Sequence, residues 1–221
     1  LAVMRIAVGL VVLFLPELHA APLLAGSLLN AAVLGVPVTG SAAWAVYGAV
    51  VLGATLGVLG IRPRLGFAVV TVGGVYLLGI PQLVGSTVHY HHLLWFSALL
   101  AVSPCGHAVT VFRPCPPPRS AAYGVPLRLA WLLVGLVFFF PGLAKLLAQG
   151  PFWDPTPTLY WKWAQSWAFT PAVQIDEWPG LLRAGGLAVV VFELGFVFAV
   201  FHRRTRMWAV AAALVFHAAT S

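Results

Sequence analysis

Charged residues and cysteines are both scarce in this chain, and each shortage excludes a class of protein. Only 8% of the 221 residues are charged, whereas 61% are hydrophobic, and the mean hydropathy is +0.97. A soluble domain of this length cannot bury so much apolar surface, so the composition predicts an integral membrane protein. The two cysteines, Cys105 and Cys115, are too few for a disulfide framework, and we expect both to be free thiols.

Several functional motifs are missing as well. The sequence has no serine elbow, phosphate-binding loop or dinucleotide fingerprint, which argues against serine hydrolysis and nucleotide chemistry. The net charge of +7 is not arranged as a basic stripe interleaved with aromatic residues, so we expect no nucleic-acid partner. The basic residues lie instead in short connections between apolar runs, where they indicate which side of the membrane each connection occupies.

Long apolar runs are what the sequence has in abundance. Lipid cannot satisfy the hydrogen bonds of an open backbone, so each run is expected to be a helix. We predict an all-α bundle of about seven transmembrane helices in a single domain, residues 1–221. The predicted segments are roughly 1–15, 42–61, 65–83, 87–103, 127–147, 181–201 and 207–220. Because the chain begins and ends inside apolar runs, we expect it to be the ordered part of a longer protein.

The connections between these runs alternate in charge. The basic set carries eight arginines: Arg62, Arg64, Arg113, Arg119, Arg128, Arg203, Arg204 and Arg206. The other set carries nearly all of the acids: Glu17, Asp154, Asp176 and Glu177. By the positive-inside rule the basic set is cytoplasmic. The polar side chains that could take part in catalysis or binding then lie near the non-cytoplasmic face.

Lys145 stands alone in the apolar run "FFFPGLAKLLAQGPFWDP". A lysine near the end of a helix can extend its ammonium to the lipid headgroups. Alternatively, burial disfavours the charged amine, and a lysine that is neutral part of the time can act as a general base. The sequence leaves both interpretations open.

The histidines allow a similar choice. In "STVHYHHLLWFSALL", His89 and His92 share a helical face, and such a cluster is one pattern of metal ligands. The order is HxHH rather than the HxxHH of membrane di-iron oxygenases, and we expect no metal. We favour His92 as a residue that orients a substrate or an oxyanion, and a capping or interfacial role is the alternative. His217, in "ALVFHAATS", is either a packed core histidine or a site residue.

Glu193 lies inside an apolar run and needs a polar partner or a proton. The candidate partners are Lys145 and Arg5, and Arg5 is alternatively an interface residue that reaches for the headgroups. The outer loop over residues 150–180 is predicted to be an amphipathic lid at the membrane interface, or else an ordinary aromatic belt. It holds five tryptophans: Trp153, Trp161, Trp163, Trp167 and Trp178.

Four stretches of the chain, taken in order, resemble one family. They are "LAVMRIAVGLVVL", "HHLLWFSALLAVSPCG", "FFFPGLAKLLAQGPFWDP" and "FELGFVFAVFHRRTRMWAVAAALVFHAATS". The family is that of the vitamin K-dependent γ-glutamyl carboxylases and their bacterial relatives, the horizontally transferred transmembrane (HTTM) domain proteins. The resemblance spans nearly the whole chain and agrees with the topology predicted from the loop charges.

The resemblance implies a reaction and a set of site residues. A vitamin K hydroquinone, or a menaquinol-like quinol, would be deprotonated and oxygenated by O2. The oxygenated quinone would take a γ-proton from a glutamate, CO2 would add to the carbanion, and the quinone would leave as the epoxide. The catalytic residues would be Lys145, His92 and His217. We assign substrate binding to four further residues: His91, Trp153, Asp154 and Glu193.

The same resemblance indicates a bacterial inner-membrane protein whose polar site faces the non-cytoplasmic side. Its expected partners are membrane lipid, a quinone, a peptide or protein glutamate substrate, and possible partner membrane subunits. The alternative function belongs to another class. In that case the chain is a non-catalytic membrane subunit that packs against the helices of a larger complex and holds a quinone or a lipid.

Overall fold

The computed structural model of this chain describes residues 1–26, 31–33, 35–85, 90–111, 120–164 and 177–220. The chain divides into two compact units, Leu1–Ala130 and Trp131–Ser221, which we call unit 1 and unit 2. Nearly all regular structure within the described residues is helical, which agrees with the predicted all-α class.

Unit 1 is built around five helices and one very short hairpin. The helices are α1 (Ala2–Phe14), α2 (Pro16–Ala25), α3 (Gly40–Leu59), α4 (Pro63–Leu83) and α5 (His91–Val102). The hairpin pairs β1 (Ala32–Val33) with β2 (Val36–Pro37) in antiparallel register. A short 3-10 helix (Ala121–Tyr123) follows, and then α6 (Gly124–Gln149), whose residues from Trp131 onward belong to unit 2.

The sequence sets both ends of α3. The hydroxyl of Thr39 accepts a hydrogen bond from the backbone N–H of Ala42 at 3.2 Å, which satisfies a donor in the first turn of the helix. Gly60 ends the helix with φ of 74°, a left-handed conformation that favours glycine. The chain can therefore turn directly into α4, which begins at Pro63 with a residue suited to the first turn of a helix.

Arg5 is fully buried at one end of unit 1, and both predictions for it are wrong. Its side chain is 0% exposed, so it does not extend to an interface. Its guanidinium donates instead to the carbonyls of Cys105, at 3.2 Å, and of Val109, both in the segment that follows α5. A buried guanidinium without hydrogen-bond acceptors would be costly, and these backbone carbonyls provide them.

Unit 2 contains the rest of α6, together with α7 (Thr156–Trp163), α8 (Pro179–Phe201) and α9 (Arg206–Thr220). Its buried centre is aromatic: Phe138 of α6 packs against Phe196 of α8, with ring centroids 4.5 Å apart. At the turn between α8 and α9, the guanidinium of Arg206 lies 3.6 Å from the ring centroid of Trp131. Aromatic packing and this cation–π contact hold α6, α8 and α9 together.

Four of the described helical segments are long and apolar enough to cross a membrane, which supports an integral membrane protein. They are Gly40–Leu59, Pro63–Leu83, Ala121–Gln149 and Pro179–Phe201. A fifth span is possible if α1 and α2, bent by 40°, are counted as one broken helix. Each of the seven predicted segments contains a helix, but α5 and α9 are shorter than a full span, and the count of seven stays a prediction.

The outer loop predicted over 150–180 contains a helix, α7 (Thr156–Trp163), which was not predicted from the sequence. Within this loop, Trp178 is 62% exposed and Trp153 is half-buried. Trp167 and Asp176 lie outside the described residues, as do the side chains of Trp161 and Trp163. The lid therefore stays a prediction.

Candidate functional site

An ion pair joins α6 and α8 in the interior of unit 2. The ammonium of Lys145 donates to both carboxylate oxygens of Glu193, at 2.5 Å to Oε1 and 2.7 Å to Oε2. The Glu193 side chain is only 5% exposed and that of Lys145 is 21% exposed. The prediction that Glu193 has a polar partner is confirmed, and Lys145 is that partner.

Small residues bring the two helices close enough for this pair. A Cβ built on Gly142 would lie 2.7 Å from Cβ of Glu193, and one on Gly135 would lie 2.7 Å from Cγ2 of Val197. Their spacing of seven residues places both glycines on the same face of α6, as is typical of closely packed membrane helices. Lys145, three residues after Gly142, is thereby directed at α8.

Trp153 covers the ion pair from a second side. The ammonium of Lys145 lies 4.9 Å from the centroid of the Trp153 ring, in a cation–π contact. The backbone of Trp153 packs so closely on Gly186 of α8 that no side chain would fit at that glycine. The Lys145 ammonium therefore lies between a buried carboxylate and an aromatic ring.

Asp154 follows Trp153 and anchors the start of α7. Its Oδ1 accepts a hydrogen bond from the backbone N–H of Thr156 at 2.9 Å, and its own N–H donates to Oε1 of Gln149 at 3.0 Å. Hydrogen bonds from the side chain and then from the backbone of Thr156 lower the pKa of the Asp154 carboxyl. Asp154 is exposed, so it is a charged residue at the rim of the site at neutral pH.

A cavity of about 350 Å³ opens beside Trp153 and Asp154. Arg183, which the sequence analysis did not select, lines it from the second turn of α8. The sequence did contain a signal for Arg183. The residue lies near the start of α8, where the positive end of the helix dipole disfavours an arginine, and on the side predicted to be non-cytoplasmic, where basic residues are rare. The other lining residues are Phe152, Pro155, Thr156, Pro179 and Leu182.

His217 lies in the aromatic part of unit 2. Its ring centroid is 5.4 Å from that of Phe138 and 5.9 Å from that of Phe216. Phe138 precedes Lys145 by seven residues, or about 10 Å along α6. His217 is itself exposed, so it is not the buried core histidine of the alternative interpretation.

In unit 1, His91 and His92 begin α5. His91 lines an apolar cavity of about 350 Å³, and its Nε2 is 3.3 Å from the amide nitrogen of Gln82. His92 is half-buried, with its ring centroid 6.2 Å from that of Tyr90. The grouping of His92 with Lys145 and His217 stays a prediction. The remaining lining residues of the cavity are Val33, Thr71, Val75, Gly79, Leu94, Trp95 and Ala98.

Among the residues that the structure describes, no group of three or more His, Cys, Asp or Glu side chains could hold a metal ion. His89, the histidine that shares a helical face with His92, lies outside the described residues. Cys105 is a buried free thiol, and Cys115 also lies outside them.

The paired groups of unit 2 hold each other in place. The Glu193 carboxylate accepts two hydrogen bonds from Nζ of Lys145, which fixes the ammonium beside the Trp153 ring.

Comparison with known proteins identifies the family. The model of the HTTM domain matches residues 33–221, which include α3 to α9 and both members of the Lys145–Glu193 pair. Neither the curated proteins nor the solved structures contain a match to this chain. The match covers most of the sequence, and the matched family is the one that the sequence motifs resemble. The chain belongs to the HTTM domain family.

Proposed function

We propose that this protein is a vitamin K-dependent carboxylase-like membrane enzyme. In this proposal it oxygenates a quinol to its epoxide and couples that step to γ-carboxylation of a glutamate, or to a bacterial variant of that reaction. The observation that carries the proposal is the Lys145 ammonium, held by the buried carboxylate of Glu193 and covered by the Trp153 ring. The HTTM family is associated with vitamin K-dependent carboxylase-like proteins.

Lys145 is the proposed general base for the quinol hydroxyl. Glu193 is the proposed holder of the Lys145 proton: when the proton moves to the carboxylate, Nζ becomes a free amine that can accept a proton from a substrate hydroxyl. Trp153 limits the access of water, which would otherwise compete for protons at Nζ. When bound, the quinol would supply the electrons for the reaction with O2.

An apolar cavity supports a quinone ligand. The cavity that His91 lines in unit 1 is almost entirely apolar, as a lipophilic ring and isoprenoid tail require, and Gln82 and His91 supply hydrogen-bonding groups at one part of its wall. We propose that His91 and His92 bind or orient the quinone oxygens and that His217 contributes to the same chemistry. No metal is part of the proposal.

The second substrate would be a glutamate of a peptide or a protein, together with CO2. Arg183 is the proposed contact for its carboxylate, because a guanidinium presents two parallel N–H donors to a carboxylate. Trp153 and Asp154 share the same cavity, and Asp154 would favour the positively charged parts of a substrate. On the predicted topology this cavity opens on the non-cytoplasmic side of a bacterial inner membrane.

The decisive experiment measures epoxide formation from vitamin K hydroquinone under O2 by the protein in lipid nanodiscs. The parent should form epoxide, and Lys145→Ala should reduce the rate about 10²–10⁴-fold, the range that a general base contributes. Arg204→Gln is the matched control, because it removes one positive charge from an exposed position in the turn after α8. Equal rates in the parent and Lys145→Ala would contradict the role of Lys145.

Glu193→Gln separates two roles of the carboxylate. The amide has nearly the same shape but cannot take the proton, so a proton-holding role predicts a loss as large as that of Lys145→Ala. A merely positioning role predicts a shifted pH profile with most of the rate retained. If the folded parent forms no epoxide at all, the proposal fails, and a non-catalytic membrane subunit becomes the better description.

A further inference from the structure

A cluster of positive charge lies at the end of unit 1 where α3 turns into α4. Arg62 and Arg64 flank Pro63 at the start of α4, and with His107 they line a cavity of about 430 Å³. The other lining residues are Pro63, Leu65, Pro104 and Gly106. Both arginines are exposed, and Nε of Arg64 donates to the carbonyl of Ser103 at 2.8 Å, which fixes that guanidinium at the wall.

A third guanidinium lies buried at the same end. Arg5 donates to the carbonyls of Cys105 and Val109, which belong to the segment that contributes Pro104, Gly106 and His107 to the cavity. The two carbonyls accept hydrogen bonds from the terminal nitrogens of Arg5 but do not neutralise its charge. Its Nε is buried without a hydrogen-bond partner. The positive potential at the cavity therefore comes from three arginines.

No carboxylate of unit 1 is available to balance this charge. Residues 18–153 contain neither aspartate nor glutamate, so Glu17 is the single acid of unit 1. Glu17 lies in the first turn of α2, twelve residues after Arg5, and helical rise alone separates them by about 18 Å. Within the described part of unit 1, neither Arg62 nor Arg64 forms a salt bridge. Unit 1, as far as the structure describes it, therefore provides no carboxylate partner for the two arginines that line the cavity.

We propose that this cavity binds a phosphate group, carried by the headgroup of an anionic phospholipid. Two guanidinium groups on either side of one phosphate provide several charge-assisted hydrogen bonds. His107 adds a donor: its Nδ1 is 2.5 Å from the hydroxyl of Tyr123, which orients the ring and leaves Nε2 for a ligand. The start of the 21-residue α4 adds the positive end of its dipole.

The position of the cavity favours a lipid as the source of the phosphate. Gly40–Leu59 and Pro63–Leu83 are both long and apolar enough to span a membrane, so the turn between them belongs at the level of the headgroups. Basic residues at this level attract anionic lipids by about 1 kcal/mol each. Free inorganic phosphate presents the same chemistry and is the other source that the experiment must distinguish.

The test compares phosphatidylglycerol with phosphatidylcholine, two lipids that differ in net charge. The protein is reconstituted in nanodiscs that contain both, and native mass spectrometry counts the lipids retained. Arg62→Gln/Arg64→Gln should lower the preference for phosphatidylglycerol about 30-fold. Arg203→Gln/Arg204→Gln removes two charges from an exposed turn of unit 2 and should keep the preference of the parent.

Further variants and a second probe complete the design. Arg62→Lys/Arg64→Lys keeps the charge but loses the planar fork, and should restore part of the preference. In nanodiscs of phosphatidylcholine alone, inorganic phosphate should leave the thermal stability of the parent unchanged if lipid is the source. Stabilisation of the parent, but not of Arg62→Gln/Arg64→Gln, would assign the site to soluble phosphate. Equal lipid preference in parent and variant, without stabilisation by phosphate, would overturn the proposal.

Discussion

Lys145 and Glu193 are 48 residues apart in sequence, yet both oxygens of the Glu193 carboxylate accept hydrogen bonds from the single ammonium of Lys145. Each group would be costly in an apolar helix alone, and the pair reduces the cost of both. The first prediction concerns this dependence. Either Lys145→Met or Glu193→Leu alone should lower the free energy of unfolding by about 3 kcal/mol, because one buried charge loses its partner.

The double variant Lys145→Met/Glu193→Leu provides the control for this prediction. It removes both charges and should recover most of the lost stability, since apolar replacements of similar volume are tolerated where an ion pair is buried. Thermal unfolding of all four proteins in the same detergent measures the coupling. Strictly additive losses would contradict an energetic link between the two residues.

The second prediction concerns the close approach of α6 and α8. Gly142→Ala places a Cβ 2.7 Å from Cβ of Glu193 and 3.2 Å from the backbone N of Leu194, so the helices must move apart. We expect a loss of about 1–3 kcal/mol. Gly195→Ala is the matched control in α8, because a Cβ there meets nothing within 4 Å. That variant should be neutral or slightly stabilising, and an equal loss in both variants would refute the argument.

The third prediction concerns pH and the start of α7. The folded state lowers the pKa of Asp154 below its ordinary value of about 3.9. A carboxyl with a lowered pKa stabilises the folded state above the ordinary pKa, and this contribution disappears as the pH falls through the lowered value. The melting temperature of the parent should exceed that of Asp154→Asn at pH 7. The difference should vanish in acid, where both side chains are neutral, and a constant difference would contradict the assignment.

The fourth prediction concerns Cys105, which is buried and donates from Sγ to the carbonyl of Leu100 at 3.2 Å. Burial raises the pKa of this thiol, so little of the reactive thiolate forms at neutral pH. In a Cys115→Ser background, maleimide should label Cys105 slowly in the folded protein and rapidly after denaturation. If Cys105 of the folded protein is labelled as fast as a solvent-exposed thiol, the burial of Cys105 is contradicted.

The fifth prediction concerns sidedness. In a variant that lacks both natural cysteines, Arg62→Cys, Arg113→Cys and Arg203→Cys should react with a membrane-impermeant maleimide only from the cytoplasmic side. The physical reason is that short basic connections are retained on that side during insertion. Labelling from the outside at all three positions would show that the predicted topology is inverted.

The apolar pattern predicts where most helices lie, because lipid permits few other structures for such segments. All seven predicted segments contain a helix. The predicted segments omit α2, which spans Pro16–Ala25 and contains a second proline, Pro22. Pro16 occupies the first turn of the helix, where a missing N–H costs little. In α7, proline and threonine within the loop concealed a helix of eight residues.

The sequence singled out both members of the ion pair but could not pair them. An isolated lysine and an isolated glutamate in apolar helices are strong signals, because each demands an explanation. The sequence could not choose between Lys145 and Arg5 as the partner of Glu193, since that choice depends on which helices pack closely. Gly142 lies one turn before Lys145 and allows α8 to pack closely against α6, which brings Glu193 to Lys145.

Burial of Arg5 has a consequence for how the protein is made. Arg5 depends on the carbonyls of Cys105 and Val109, which follow it by 100 and 104 residues. At ordinary rates of synthesis those carbonyls leave the ribosome about 5–20 s after the arginine. During that interval α1 carries a cation without its final acceptors, so it must wait near the headgroups or beside the insertion machinery. Arg5 then reaches its final acceptors only after the segment that follows α5 has been synthesised, so α1 takes its final position later than its place in the sequence suggests.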